Sequence, residues 1–230
     1  MLRLDAFVAK AAALTRSEAQ RHIRRGEVCV AGIPVKDPSH KINDADEVTL
    51  AGALLFYSEF VYLMMNKPAG VVCANSDARD GTVFDLIDEK YRRRKLHTVG
   101  RLDRDTTGLL LLTDDGDFTH RVASPSSRIE KRYLAGTDVG LGDGDVEKIE
   151  DGLTLDGRKL SGTRVERVGD NTYVVTVFEG RYHEVKRIFS AFGSAVTSLK
   201  RLSIGHLELD PGLAPGSFRE LTAEEREKIL

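Results

Sequence analysis

The sequence contains no tryptophan, only two cysteines and six prolines in 230 residues. Cys29 and Cys73 form no CxxC pair, so neither a disulfide framework nor a cysteine zinc site is indicated, and a reducing compartment, the cytoplasm, is expected. The six histidines show no metal-ligand spacing with one another or with the cysteines, so we predict no metal site. No apolar run approaches the roughly 20 residues of a membrane span.

Charge of one sign is not in excess either, since 34 lysines and arginines face 36 aspartates and glutamates. The strongly basic composition typical of many nucleic-acid-binding domains is therefore missing. Positive charge is instead concentrated in two short clusters, one at Arg92, Arg93, Arg94 and Lys95 and one at Arg16, Arg21, Arg24 and Arg25. A phosphate backbone responds to such local charge, which makes the second cluster a candidate RNA contact, while a solvated helix face is the alternative.

The composition that remains, 41% hydrophobic and 30% charged, is that of a globular protein. Apolar spacing from Leu4 to Ala11 predicts a first helix, and Ser17 with Gln20 has the spacing of a capping box that would open a second. Short strands are expected near residues 27–30, 33–35 and 47–50. We therefore expect one small domain over residues 1–52, a linker at 53–59 and a second domain over 60–230.

The second domain has no regular alternation of strands and helices. Apolar runs predict strands near residues 61–65, 109–112 and 173–178, and a helical spacing predicts a helix over 185–192. This pattern favours an α+β domain with flanking helices on a mixed, mostly antiparallel sheet.

The most informative segment is LHTVGRLDRDTTGLLLLTDDGD, residues 96–117. It presents Asp103 and Asp105 in a loop before a buried strand, where flanking arginines favour an ionised carboxylate, so a catalytic role is one interpretation. A surface turn that satisfies its own backbone is a second. A calcium loop is a third, but Asp114 occupies the position where that loop needs glutamate.

Several segments together resemble known families. RLDAFV, TRSEAQRHIRRGEVCVAGIPVK and DADEV occur in this order in the first 52 residues and resemble the S4 domain, a small RNA-binding module. NKPAGVVC, GRLDRDTTGLLLLTDDG, SPSSRIEKRYL and EGRYHEVKRIF follow and resemble the pseudouridine synthases, specifically the RsuA group.

The resemblance implies roles for particular residues. Asp103 would be the catalytic carboxylate, Tyr133 would stack on the target base, and Arg187 would pair with Asp103. Leu202, Lys67 and Arg101 would belong to the substrate pocket. The arginine cluster of the S4-like domain would dock RNA.

The same resemblance implies the activity. A uridine of ribosomal RNA would be isomerised to pseudouridine without a cofactor, with uridine 516 of 16S rRNA as the target. The substrate would be free RNA or a small-subunit assembly intermediate, and the enzyme a monomer away from membranes. A 23S rRNA target and a non-catalytic RNA-binding ribosome-assembly factor are the alternatives, and the choice between a covalent and a glycal mechanism is open.

Overall fold

The computed structural model describes residues 2–43, 46–55, 60–92 and 94–229. Contacts within the chain divide it into two compact units, Met1–Glu59 and Phe60–Leu230. Separate clusters of buried apolar side chains form the core of each unit. None of the helices in the described part of the chain is both long and apolar enough to cross a membrane.

The described residues of the smaller unit form two helices and six short strands. The helices are α1 (Leu4–Ala11) and α2 (Arg16–Arg24); the strands are β1 (Leu2–Arg3), β2 (Val28–Val30), β3 (Ile33–Pro34), β4 (Lys41–Ile42), β5 (Val48–Leu50) and β6 (Ala53–Leu55). Strands β3, β2, β5 and β6 form an antiparallel sheet in that order, and β1 pairs with β4. The apolar faces of both helices and of the sheet enclose one core.

The N-cap of α2 is Thr15, two residues before the predicted cap. The Thr15 hydroxyl accepts a hydrogen bond from the Glu18 backbone N–H at 3.2 Å, and the Glu18 carboxylate accepts one from the Thr15 N–H at 2.8 Å. The predicted box at Ser17 and Gln20 has the same spacing, but it lies inside the helix. A charged carboxylate is the stronger acceptor of the two candidates, which accounts for the difference.

Part of the predicted linker is a strand. Residues Ala53–Leu55 form β6, which pairs with β5 through a tight turn at Ala51 and Gly52. Both turn residues have left-handed φ angles, 50° and 82°, the geometry that joins two antiparallel strands with little splay. Linker residues 56–59 lie outside the described residues, as do positions 44 and 45 of the DADEV segment.

The larger unit is built on one nine-stranded sheet. Its strands are β7 (Tyr62–Lys67), β8 (His97–Thr98), β9 (Thr107–Thr113), β10 (Lys131–Thr137), β13 (Arg164–Gly169), β14 (Thr172–Val177), β15 (Val196–Ile204), β16 (Leu207–Glu208) and β17 (Phe218–Glu220), while β11 (Thr154–Leu155) and β12 (Arg158–Lys159) form a separate hairpin. The helices are α3 (Glu89–Arg92), α4 (Gly116–Ala123), α5 (Asp145–Glu150), α6 (Glu184–Ser190) and α7 (Ala223–Glu227), with short 3-10 turns at Val83–Leu86 and Pro125–Ser127.

The sheet has the order β13-β14-β10-β15-β9-β7-β17, and both of its faces are covered. Helix α6 packs on one face and α4 on the other. In β9 the side chains of Leu110 and Leu112 enter the first core, whereas Leu109 and Leu111 enter the second. Burial on both faces explains why this strand is a continuous apolar run. The pairings of the described strands are antiparallel except for β9 with β15, so the predicted α+β class is confirmed.

Candidate active site

The loop that carries Asp103 connects β8 to β9, and Lys67 at the end of β7 holds it in place. The Lys67 Nζ donates hydrogen bonds to the carbonyl oxygens of Pro68 at 3.0 Å, Arg104 at 3.3 Å and Thr106 at 2.9 Å. Burial lowers the pKa of Lys67, which is fully shielded from solvent. The resemblance implies that Lys67 belongs to the substrate pocket. In the structure Lys67 does not line the cavity and instead binds the backbone of the loop from within the core.

Gly108 allows strands β9 and β15 to approach each other closely. Strands β9 and β15 run parallel where Gly108 lies beside Arg201. A Cβ atom at Gly108 would lie 2.3 Å from the Arg201 carbonyl oxygen, and the φ angle of Gly108 is +97°. Only glycine tolerates both conditions. The close approach brings Arg201 into the cavity that Asp103 also lines.

Two side chains of the α6 segment, His183 and Lys186, face Asp103. The His183 Nε2 lies 3.3 Å from one carboxylate oxygen of Asp103, and the Lys186 Nζ lies 3.2 Å from the other. Lys186 also donates to both oxygens of Asp105, at 2.7 and 2.9 Å. Burial works against the charged form of Lys186, but the hydrogen bonds to the two carboxylates outweigh it and raise the pKa of the lysine. A full positive charge therefore stands beside Asp103 at neutral pH.

Arg187, which the resemblance implies as the partner of Asp103, points elsewhere. Its guanidinium pairs at 2.6 Å with Asp156, an exposed residue in the turn between β11 and β12. Successive helix residues are rotated by about 100°, so Lys186 and Arg187 cannot both face the same carboxylate. In the structure the neighbours of Asp103 are therefore His183 and Lys186, and not Arg187.

Asp103 opens onto a cavity of about 90 Å³, which has room for several water-sized groups. Tyr133 of β10 forms one wall and is 7% exposed, and Arg101 lies at the rim. Leu202, the implied apolar pocket residue, does not line the cavity, whereas Leu199 does. Side chains alternate between the two faces of a strand, so Leu199 shares its face with Arg201 and Leu202 does not.

Buried ionisable side chains also line the cavity. Lys131, two residues before the wall tyrosine on β10, donates to the Ile129 carbonyl oxygen at 2.8 Å. Burial, together with the charge of Arg201, lowers the pKa of Lys131 to about 8, while Glu184 acts in the opposite direction. Burial raises the pKa of Glu184. The cavity is thus lined by buried polar groups and, at Tyr133, by an aromatic ring.

An exposed aromatic stack lies next to the cavity. The Tyr182 ring stacks on the His183 ring with centroids 3.8 Å apart and an interplanar angle of 18°. Tyr182 is 74% exposed, an unusual position for a large ring. Its free face is available to a planar group from solution.

The arginine cluster of the smaller unit divides into two parts. Arg16 bonds to the fully buried Asp5 carboxylate at 3.2 Å, together with Arg3 and Gln20. Arg16 therefore serves this internal network rather than presenting its whole charge outward. All four arginines are exposed, Arg16 by 58% of its side chain, but only Arg16 is tied to the Asp5 network.

Three residues of the site carry little signal in the sequence. His183 and Lys186 are three residues apart, but His183 precedes α6 with a left-handed φ angle of 50°, so helical spacing does not identify the pair. Arg201 has only its alternation with Leu199 to mark it as inward-facing. In the part of the chain that the structure describes, no group of three or more His, Cys, Asp or Glu side chains is arranged to hold a metal ion. The two carboxylates of the proposed calcium loop bind Lys186 instead.

Family models, protein sequences and solved structures agree on the family that this chain resembles. The family model described as RNA pseudouridylate synthase matches residues 61–191, and that of the S4 domain matches residues 2–48. The chain is 40% identical to a Bacillus subtilis protein named "Uncharacterized RNA pseudouridine synthase YtzG", covering 97% of this chain and 96% of the relative. It is 41% identical to the ribosomal small subunit pseudouridine synthase A of Escherichia coli over the full length of both. A crystal structure of a pseudouridylate synthase, 40% identical, matches with a TM-score of 0.71 over both whole chains.

Proposed function

The chain belongs to the RNA pseudouridylate synthase family and carries an S4 domain, and we propose that it isomerises one specific uridine of ribosomal RNA with Asp103 as the catalytic carboxylate. The observation that carries this assignment is the carboxylate held by His183 and Lys186 at the entrance of a cavity with a buried aromatic wall. Pseudouridine synthesis requires a positioned carboxylate and a pocket for one detached base, and the cavity has both.

The reaction conserves every heavy atom of the nucleotide. The bond between ribose C1′ and uracil N1 breaks, the base turns, and C1′ joins uracil C5, whose hydrogen is released to solvent while N1 gains a proton. Asp103 would act either as a nucleophile or as the base of a glycal route. In both routes the carboxylate must be charged and aimed, which is the role that the geometry gives to His183 and Lys186.

The base has to leave the RNA stack to reach Asp103. Tyr133 would provide the face on which the flipped uracil stacks inside the cavity, and Arg101 would contact the RNA at the rim. Tyr182 would stack with a neighbouring base, because its exposed ring already lies parallel to His183. Arg101 and Tyr133 line the cavity, and Tyr182 stacks on the lining residue His183, which supports these roles.

The S4 domain would dock the RNA through Arg21, Arg24 and Arg25. All three are exposed on α2 or directly after it, where they can meet phosphates. Arg16 is given a structural role instead, because Asp5 binds it.

The target would be uridine 516 of 16S rRNA. Relatives named ribosomal small subunit pseudouridine synthase A, one of them 41% identical over the whole chain, support a small-subunit substrate. The enzyme would act in the cytoplasm as a monomer, on free 16S rRNA or on a small-subunit assembly intermediate. Assays on both forms of the substrate separate these two cases.

The decisive experiment measures tritium release from rRNA labelled at uracil C5. We expect the wild-type protein to release tritium from small-subunit RNA, and Asp103→Asn to reduce the rate about a thousandfold or more. Asp105→Asn is the matched control. Asp105 lies in the same loop and also pairs with Lys186, but its side chain is 71% exposed. We expect it to keep most of the activity.

Each other outcome has a definite meaning. Release from 23S rRNA alone would overturn the target and keep the chemistry. RNA binding with no release from 16S, 23S or partly assembled particles would favour the non-catalytic assembly factor. Equal losses in Asp103→Asn and Asp105→Asn would remove Asp103 from its special role.

Docking by the S4 domain is tested in the full chain with Arg21, Arg24 and Arg25 changed together to Gln. The slope of log affinity against log salt should become shallower by up to about 2, because up to three phosphate contacts are lost. Lys148→Gln, which removes an exposed cation of the larger unit, should leave the slope unchanged. An unchanged slope in the triple variant would refute the docking role.

A further inference from the structure

Arg201 is a buried cation whose hydrogen bonds are incomplete. The side chain is 3% exposed and lines the cavity. Its Nε donates to the Leu109 carbonyl oxygen at 2.7 Å, and its Nη1 donates to the Tyr133 hydroxyl at 3.5 Å. Its Nη2 is buried and has no hydrogen-bond partner among the described residues.

The register of three strands determines this position. Strand β15 lies between β10 and β9, and Arg201 is paired with Tyr133 on one side and with Gly108 on the other. The guanidinium is therefore anchored at two of its nitrogens, while the third is left for another group. The hydroxyl of Thr106, which lines the same cavity and is 1% exposed, likewise has no partner among the described residues.

A buried charged donor without an acceptor is costly, and folded proteins rarely retain one without a reason. The described residues supply acceptors for two of the guanidinium nitrogens and none for the third. An acceptor can therefore reach it only from the cavity. The cavity has an aromatic wall, so the group that fits is flat and carries an exocyclic oxygen.

Uracil meets this description, since it is planar and has carbonyl oxygens at positions 2 and 4. We propose that Arg201 is a substrate-contacting residue whose Nη2 donates a hydrogen bond to a carbonyl oxygen of the flipped uracil. This inference rests on the proposed function and adds a residue that recognises the base. It also assigns Arg201 a part in the reaction, beyond its link between β9 and Tyr133.

The role of Arg201 in the reaction follows from where the electron pair of the broken bond goes. When the C1′–N1 bond breaks, its electron pair remains on N1 and is shared with the carbonyl oxygens through the ring. A fixed guanidinium at one of these oxygens stabilises that charge as it develops, in a site shielded from water. If the oxygen is that of position 4, the same donor also rejects cytosine, whose amino group is a donor at that position.

The experiment combines substitution of the enzyme with substitution of the base. RNA targets that carry uridine, 2-thiouridine or 4-thiouridine at the modified position are compared, because sulfur is a weaker hydrogen-bond acceptor than oxygen. For the wild-type protein we expect kcat/KM to fall between about tenfold and a hundredfold on one of the two thio substrates. The substrate affected identifies the oxygen.

Arg201→Gln should be slower than wild type on uridine and should lose most of that preference, so that the thio penalty shrinks to about threefold or less. Arg132→Gln is the matched control, since Arg132 lies on β10, is partly exposed and pairs with Glu208. It should keep the wild-type thio penalty. Thermal melting and RNA affinity of each variant check that the fold and the docking are intact.

Equal thio penalties in wild type and Arg201→Gln would overturn the proposal and leave Arg201 a purely structural residue. If Arg201→Gln fails to fold, the wild-type measurements alone test the proposal. A fall in wild-type kcat/KM of less than about threefold on both thio substrates would overturn the proposal. Absence of wild-type activity on uridine itself would instead refute the proposed function. The two failures are therefore distinguishable.

Discussion

Replacement of Lys67 by Met tests whether the catalytic loop is held from within the core. Methionine has nearly the same length and shape but cannot donate to the carbonyl oxygens of Pro68, Arg104 and Thr106. Two of those oxygens, of Arg104 and Thr106, belong to the loop directly after Asp103, and the third belongs to the segment that follows β7. The substitution therefore releases the loop without opening a cavity and without touching the walls of the pocket.

The expected loss of stability can be worked from the contacts. A hydrogen bond that involves a charged group contributes about 1.5–3 kcal/mol, and three such bonds are lost. Removing the buried ammonium recovers its desolvation cost, so the net loss in unfolding free energy should be about 3–5 kcal/mol. The loss belongs to the larger unit, because Lys67 and all three acceptors lie in it.

Urea unfolding and tritium release together measure the effect. The urea midpoint of the larger unit should fall, and the two units are to be fitted as separate transitions if they unfold separately. The value of kcat should drop between about tenfold and a hundredfold, because a misplacement of about 1 Å suffices for that loss. KM should change little, since Lys67 does not line the cavity.

Lys148→Met is the control for these measurements. Lys148 is 67% exposed and forms one surface ion pair with Asp145, so its loss should change stability by less than about 1 kcal/mol. If Lys67→Met proved as stable and as active as Lys148→Met, the bracing role would be refuted. A raised KM with unchanged kcat would instead return Lys67 to the substrate pocket.

Two further predictions concern buried charges. Asp5→Asn should destabilise the smaller unit by about 1–3 kcal/mol in urea unfolding, because Arg3 and Arg16 lose their charged acceptor but, at 45% and 58% exposure, remain in contact with solvent. The low pKa of Asp5 adds a pH dependence: its stabilisation is complete above the unfolded-state pKa of about 3.9 and is lost as the pH falls below it. A flat acid profile relative to Asp5→Asn would contradict this. The pKa of Lys131, lowered to about 8, has the opposite consequence, since the unfolded chain binds more protons between about pH 8 and 10.4. The stability of wild type relative to Lys131→Met should rise by up to about 3 kcal/mol across that interval, and a constant difference would refute it.

The sequence is sufficient where the signal is local. The apolar run of β9 predicts a buried strand because four consecutive leucines can be accommodated only if both faces are covered. The spacing at Val185, Ile188 and Phe189 predicts α6, whose apolar face packs on the sheet. The S4-like and pseudouridine synthase motifs predict the family, which the comparisons confirm.

Local sequence signals also led to predictions that were wrong by a few residues. Two capping boxes of equal spacing compete at the start of α2, and the one with Glu18 forms. The three residues of β6 are too few to stand out from a linker. In both cases the deciding contact is weakly marked in the sequence, because it depends on the relative strength of two acceptors or on pairing with a neighbouring strand.

The sequence by itself determined the fold class, the family and the motif in which Asp103 lies. Only the tertiary structure decided which side chains surround that carboxylate. Lys186 and not Arg187 faces it, because one residue along a helix turns a side chain by about 100°. Arg201 and not Leu202 enters the cavity, because one residue along a strand reverses the face. Motifs specify which residues are close in the chain, whereas the phase of each helix and the register of each strand specify where they point.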